Sequence, residues 1–146
     1  MVDNYFITIS SSKLNKIVSD FENKGYAKLG KIITEKFRKK LVQRTYDLMM
    51  GRIKYKNMFF KLDDPDGNYF NIKHKDVKNE IFSGPSERYK KIKDLEYDPL
   101  FLKLIKSKSL KQIAKKLIGN SVSSMRAMIL NKSHIKSSIL PFHQDV

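Results

Sequence analysis

Apolar residues recur at helical spacing in the first third of the chain and again from residue 98. From Ser12, a good helix-capping residue, Leu14, Ile17, Val18 and Phe21 fall on one helical face, and Gly25 stands where a helix commonly stops. A second helix is expected from about Thr34 to Met50, with Ile33, Phe37, Leu41 and Leu48 on one face and Gly51 after it. Between these two, Tyr26 to Leu29 reads as a short strand-like stretch. Arg52 to Leu62 has strand character in Ile53, Tyr55, Met58, Phe59 and Phe60. Asp98 and Pro99 then open a helix with Leu100, Phe101, Leu104 and Ile105, and Ser109 opens another with Leu110, Ile113, Ala114 and Leu117, closed by Gly119. SVSSMRAMILNK follows as a strand, with Met125, Ala127 and Ile129 on one side and Arg126, Met128 and Leu130 on the other. Helices first and strands last predict an α+β fold whose sheet is only begun.

Two dense turn signals interrupt the middle of the chain, Asp63-Asp64-Pro65-Asp66-Gly67 and Ser83-Gly84-Pro85-Ser86. The three aspartates of the first invite a calcium reading. An EF-hand loop has its glycine at the sixth position, and counting back from Gly67 puts Leu62 at the first ligand position, so the stretch is a turn.

At 146 residues the chain is one domain's worth, and 40% hydrophobic with 11% aromatic residues excludes a disordered tail or a rod. The longest apolar run, Ala127 to Leu130, is far short of the ~20 residues a membrane helix needs. The start MVDNYFITIS has neither the basic nor the apolar region of a secretory signal, and there is no cysteine, so the expected compartment is the cytoplasm. The net charge of +15 raises a nucleic-acid hypothesis. Against it, the cations are 25 lysines and only 5 arginines, and they are spread in pairs such as Lys39-Lys40, Lys90-Lys91 and Lys115-Lys116. Arginine is the residue that reads guanine edges bidentately, and a lysine bias on solvated faces accounts for the pattern as well. A non-enzymatic basic module that binds nucleic acid or another acidic partner therefore stands as the alternative.

Of the three histidines, His74, His134 and His143, only His143 has a carboxylate two residues on, in Asp145. Residues i and i+2 of a strand point the same way, so the imidazole and the carboxylate can share one metal while Gln144 faces away. That pair is two-thirds of the two-histidine, one-carboxylate set of non-heme iron(II) oxygenases. By itself His-x-Asp reads sooner as a surface histidine and aspartate at the end of a strand.

The segment MILNK (Met128 to Lys132), a loop, then LPFHQDV (Leu140 to Val146) resembles the phytanoyl-CoA dioxygenase family. There, a strand of the form M-hydrophobic-hydrophobic-N-K precedes a hydrophobic-H-Q-D segment. Upstream, Phe21, Gly25 and Tyr26 as F-x-x-x-G-Y, the long helix after them, and the DPLF…IAKKLIG helical pair also look like that family's front half. The resemblance runs from about Ser12 to the end.

It implies a double-stranded β-helix, a cupin-like jelly roll, with the N-terminal helices covering its first strands. It implies an oxygenase that uses iron(II), 2-oxoglutarate and dioxygen to hydroxylate an aliphatic carbon of a small molecule, lipid or acyl-CoA-type substrate. On family order His143 and Asp145 match two metal ligands. Met128 matches a methionine beside the co-substrate, although ordinary strand packing explains a methionine there too. Lys91, in the KIKD segment, matches a family lysine across a one-residue gap. The aspartate points to hydroxylation, because related halogenases lose that carboxylate to make room for halide. The family's third ligand, a histidine, and its 2-oxoglutarate-pairing arginine lie beyond HQD, and both His74 and His134 precede it. The expectation is thus one domain over residues 1–146, the N-terminal portion of a dioxygenase domain cut just after the HxD motif.

Overall fold

The computed structural model describes residues 5–63, 82–123 and 126–132. Among the described residues four α-helices and three strands follow one another as α1 (Ser11–Lys24), α2 (Glu35–Met49), β1 (Phe59–Leu62), β2 (Tyr89–Lys93), α3 (Pro99–Ile105), α4 (Lys108–Ile118) and β3 (Met128–Leu130), with a 3₁₀ turn at Leu95–Tyr97. The α+β class expected from the sequence is what forms. The chain divides into two compact units: Met1–Thr45 with Asp98–Met125, and Tyr46–Tyr97 with Arg126–Val146. Among the described residues no helix is long and apolar enough to cross a membrane.

The first unit is helical. Ser10, not Ser12, caps α1: its backbone is extended and its hydroxyl accepts from the Lys13 amide at 3.3 Å. Three consecutive serines offer the same chemistry, and the first of them takes the cap; Ile17, on the helix that follows, is buried. Gly25, at φ 75°, ends the helix as expected, its amide reaching the Phe21 carbonyl at 2.8 Å. Tyr26 to Leu29 form no strand. The extended segment that pairs instead is Tyr5 to Ile7 with Ile32 to Thr34, through Ile7 N–H to Ile32 O at 3.0 Å and Thr34 N–H to Tyr5 O at 2.9 Å. Tyr5 stacks on Phe37 of α2 at 4.5 Å, and Ile17, Leu41, Phe101 and Ile113 complete the buried apolar set of this unit. α1 packs against α4.

Asp98 opens α3 as its composition predicts. One carboxylate oxygen accepts from the Leu100 and Phe101 amides at 2.8 and 3.2 Å, and the other accepts from Arg44 at 2.8 Å. The cap of α4 lies two residues earlier than its sequence suggests: Ser107 and not Ser109 accepts from an amide of the first turn, that of Leu110 at 3.3 Å. At the exposed helix ends, the Lys24 ammonium holds the Asp20 carboxyl below its ordinary pKa, and the Arg38 guanidinium does the same for Glu35.

The second unit carries an antiparallel three-stranded sheet in the order β1-β2-β3. The expected strand from Arg52 is confined to its last four residues; before them the backbone turns, with Arg52 N–H on Asp47 O and Met58 N–H on Tyr55 O. β3 is likewise the short core of the expected strand. Phe60, Ile92 and Ile129 form one cross-strand row on the packed side. Tyr89 joins them because a register shift between Lys61 and Leu62 puts an extra residue into β2. Tyr89 meets Phe60 edge-on at 5.3 Å and stacks near Phe82 at 5.7 Å, while its hydroxyl donates to Gly84 O and accepts from Ser83 N–H. The Ser83–Ser86 turn is thereby tied to the core. Of the other turn only Asp63 is among the described residues; it is buried, and Lys90 lies 3.6 Å from its carboxylate.

Candidate functional site

Directly paired residues of an antiparallel sheet point to the same side, so the register fixes what the second face of this sheet presents. Two cross-strand rows emerge there: Phe59, Lys93 and Met128, then Lys61, Lys91 and Leu130. The alternation expected for β3 holds, since Ile129 is half-buried while Met128 and Leu130 are exposed. β2 contributes the two lysines because residues 91 and 93 are two apart in a strand. The result is a strip of apolar side chains crossed by lysines.

Met128 and Lys91, singled out separately by sequence, therefore share this face on neighbouring strands. They are diagonal partners, a relation that puts the two residues about 7–8 Å apart, with their Cβ atoms somewhat closer. Lys93, directly opposite Met128, leans the other way, its ammonium 4.6 Å from the centre of the Phe59 ring. Asn131, just past β3, locks the strand end: its side-chain amide donates to Glu87 O and Tyr89 O at 3.2 and 3.1 Å. At the other end Glu96 accepts from the Ala127 amide at 3.3 Å. Both ends of the short strand are thus anchored to the segments flanking β2. Chemically, the face suits a small anion with an aliphatic body: an ammonium for a carboxylate, and thioether and leucine for methylenes.

His143 and Asp145, the expected metal ligands, lie outside the described residues, as do Gln144, His74 and His134. Among the described residues no three histidine, cysteine, aspartate or glutamate side chains gather to hold a metal. Lys61, Lys93 and Leu130 are site-face residues that sequence reasoning did not select. Lys93 could have been found from Lys91 by the two-residue period, but only with β2 recognised as a strand. Comparison with family models, with curated proteins and with solved structures gives no match.

Proposed function

We propose that this protein acts as an iron(II)- and 2-oxoglutarate-dependent oxygenase of the phytanoyl-CoA dioxygenase type, hydroxylating an aliphatic carbon of a small molecule, lipid or acyl-CoA-type substrate. The observation that carries the reading is the MILNK-to-HQD tandem, together with Met128 and Lys91 standing on one sheet face. His143 Nε2 or Nδ1 and a carboxylate oxygen of Asp145 would hold the metal, and this donor set suits iron(II) with coordination positions left open. The bound iron supplies activation of dioxygen. The chain's own part is to hold and orient: Lys91 pairs with a carboxylate of 2-oxoglutarate, and Met128 packs on its methylenes. The jelly-roll architecture belongs to this proposal, and β1, β2 and β3 would be strands of one of its two sheets.

The test is anaerobic metal binding by equilibrium dialysis. With two ligands two residues apart in sequence the chain binds divalent metals weakly, copper and nickel ahead of iron. His143→Ala removes the binding, Asp145→Ala weakens it, and Gln144→Ala leaves it in place. Turnover is read as 2-oxoglutarate-dependent succinate formation in a protein that also supplies a downstream histidine and arginine. There Asp145→Ala abolishes it. Unchanged metal binding in the His143→Ala chain overturns the reading.

A further inference from the structure

The lysines are divided almost evenly between the two units, 14 and 11, but the carboxylates that offset them are not: 5 against 10. The helical unit, Met1–Thr45 with Asp98–Met125, holds 16 lysines and arginines against 5 aspartates and glutamates, a net +11 of the chain's +15. From Pro99 to Met125 there are six lysines and no acidic residue. Within that stretch the end of α4 and the segment after it border an open surface concavity of about 260 Å³, lined by Lys111, Lys115, Asn120, Ser121, Val122 and Ser123.

Lys111 and Lys115 are four apart on α4, so both ammonium groups rise over the same face, where they repel one another. Neither is paired with a carboxylate among the described residues. An anion between them relieves that repulsion. The other polar residues that line it, Asn120, Ser121 and Ser123, carry a side-chain amide and hydroxyls, groups that donate to phosphate oxygens. The last carbonyls of α4 oppose an anion with about half a negative charge, which two full ammonium charges outweigh. In size the concavity lies just below the range of about 300–1,000 Å³ that takes drug-sized molecules, so it fits one or two phosphate groups. Lysine binds phosphate as a point charge and needs no base-reading geometry, which favours a small phosphate over a nucleic-acid duplex.

From the concavity and the charge segregation together we infer that the end of α4 is a binding site for a small soluble phosphate ester or diphosphate, held by Lys111, Lys115, Ser121 and Ser123. This is independent of the iron reading and uses none of its residues. The probe is inorganic pyrophosphate, titrated calorimetrically into the full chain. It binds one per chain, and K111Q/K115Q weakens it by about tenfold or more, the loss of two charge-assisted contacts. S121A/S123A weakens it by about threefold, and the exposed pair K28Q/K31Q, equal in charge loss and in the same unit, by no more than about twofold. Absence of pyrophosphate binding overturns the site. So does an equal loss in the two lysine pairs, which would mean diffuse attraction, or no loss in the serine variant. Binding confined to phosphatidate vesicles or to a single-stranded oligonucleotide, with none to pyrophosphate, overturns it as well.

Discussion

Asp98 is fully buried, and its two carboxylate oxygens do different things. One caps α3 and the other receives Arg44, whose own side chain is still partly in water. Removing such a carboxylate strands a guanidinium and orphans two amides at once. Asp98→Ala is expected to cost about 3–5 kcal/mol in urea unfolding, the range for breaking a buried pair. Asp98→Asn, which keeps the capping oxygen, costs less. Gly51 is sensitive for a different reason. Its φ of 66° is unfavourable for any side chain, and a Cβ there would stand 2.8 Å from Cε1 of the Phe82 ring. That ring is wedged against Phe60 and Tyr89, so it has little room to yield. Gly51→Ala should lower stability by about 2–4 kcal/mol, read as a reduced melting temperature.

At the scale of elements, the helices were legible because their signals are local. Asp98-Pro99, Gly25 and Gly119 each mark an end by their own chemistry, and only the serine caps slipped, where neighbouring serines compete. The sheet was harder. β2 reads YKKIK, and its two fully buried residues, Tyr89 and Ile92, are three apart because of the irregularity opposite Lys61 and Leu62. A bulge erases the period of two by which strands are recognised, and three lysines in five residues hide what remains. The sequence therefore yielded Lys91 and Met128 as separate candidates, and only the register joined them. Helix ends also set an acid response. The Asp20 and Glu35 pKa values are depressed, so their contribution is present above the unfolded values and lost as pH falls through the folded ones. Glu35 is exposed and Asp20 partly so, and the expected result is a small loss of helical circular dichroism on acidification below the ordinary carboxylate range, diminished by added salt.

At the scale of the molecule, the proposed co-substrate site draws on β2 and β3, strands separated by two helices in sequence but adjacent in the sheet. The packed face, through Ile92 and Phe60, holds the unit together, while the other face is open at Met128 and Leu130. Stability and binding should therefore separate by face. Ile92→Ala is expected to cost about 2–5 kcal/mol as a fully buried truncation. Met128→Thr, on the exposed side, should stay within about 0.5 kcal/mol. A ligand that binds the folded chain raises its stability by RT ln(1 + [L]/Kd), about 2.7 kcal/mol at a hundredfold excess over Kd. With iron(II) present under anaerobic conditions, 2-oxoglutarate should raise the melting temperature of the wild-type chain. The rise should shrink in Met128→Thr and disappear in Lys91→Met. Lys132→Met, which removes the same charge just past β3, should retain it. An equal loss in both lysine variants would make the effect one of net charge, and Lys91 would have no place in the site. Retention in Lys91→Met would detach the lysine from the co-substrate while leaving the proposed metal ligands, His143 and Asp145, to be judged by their own variants.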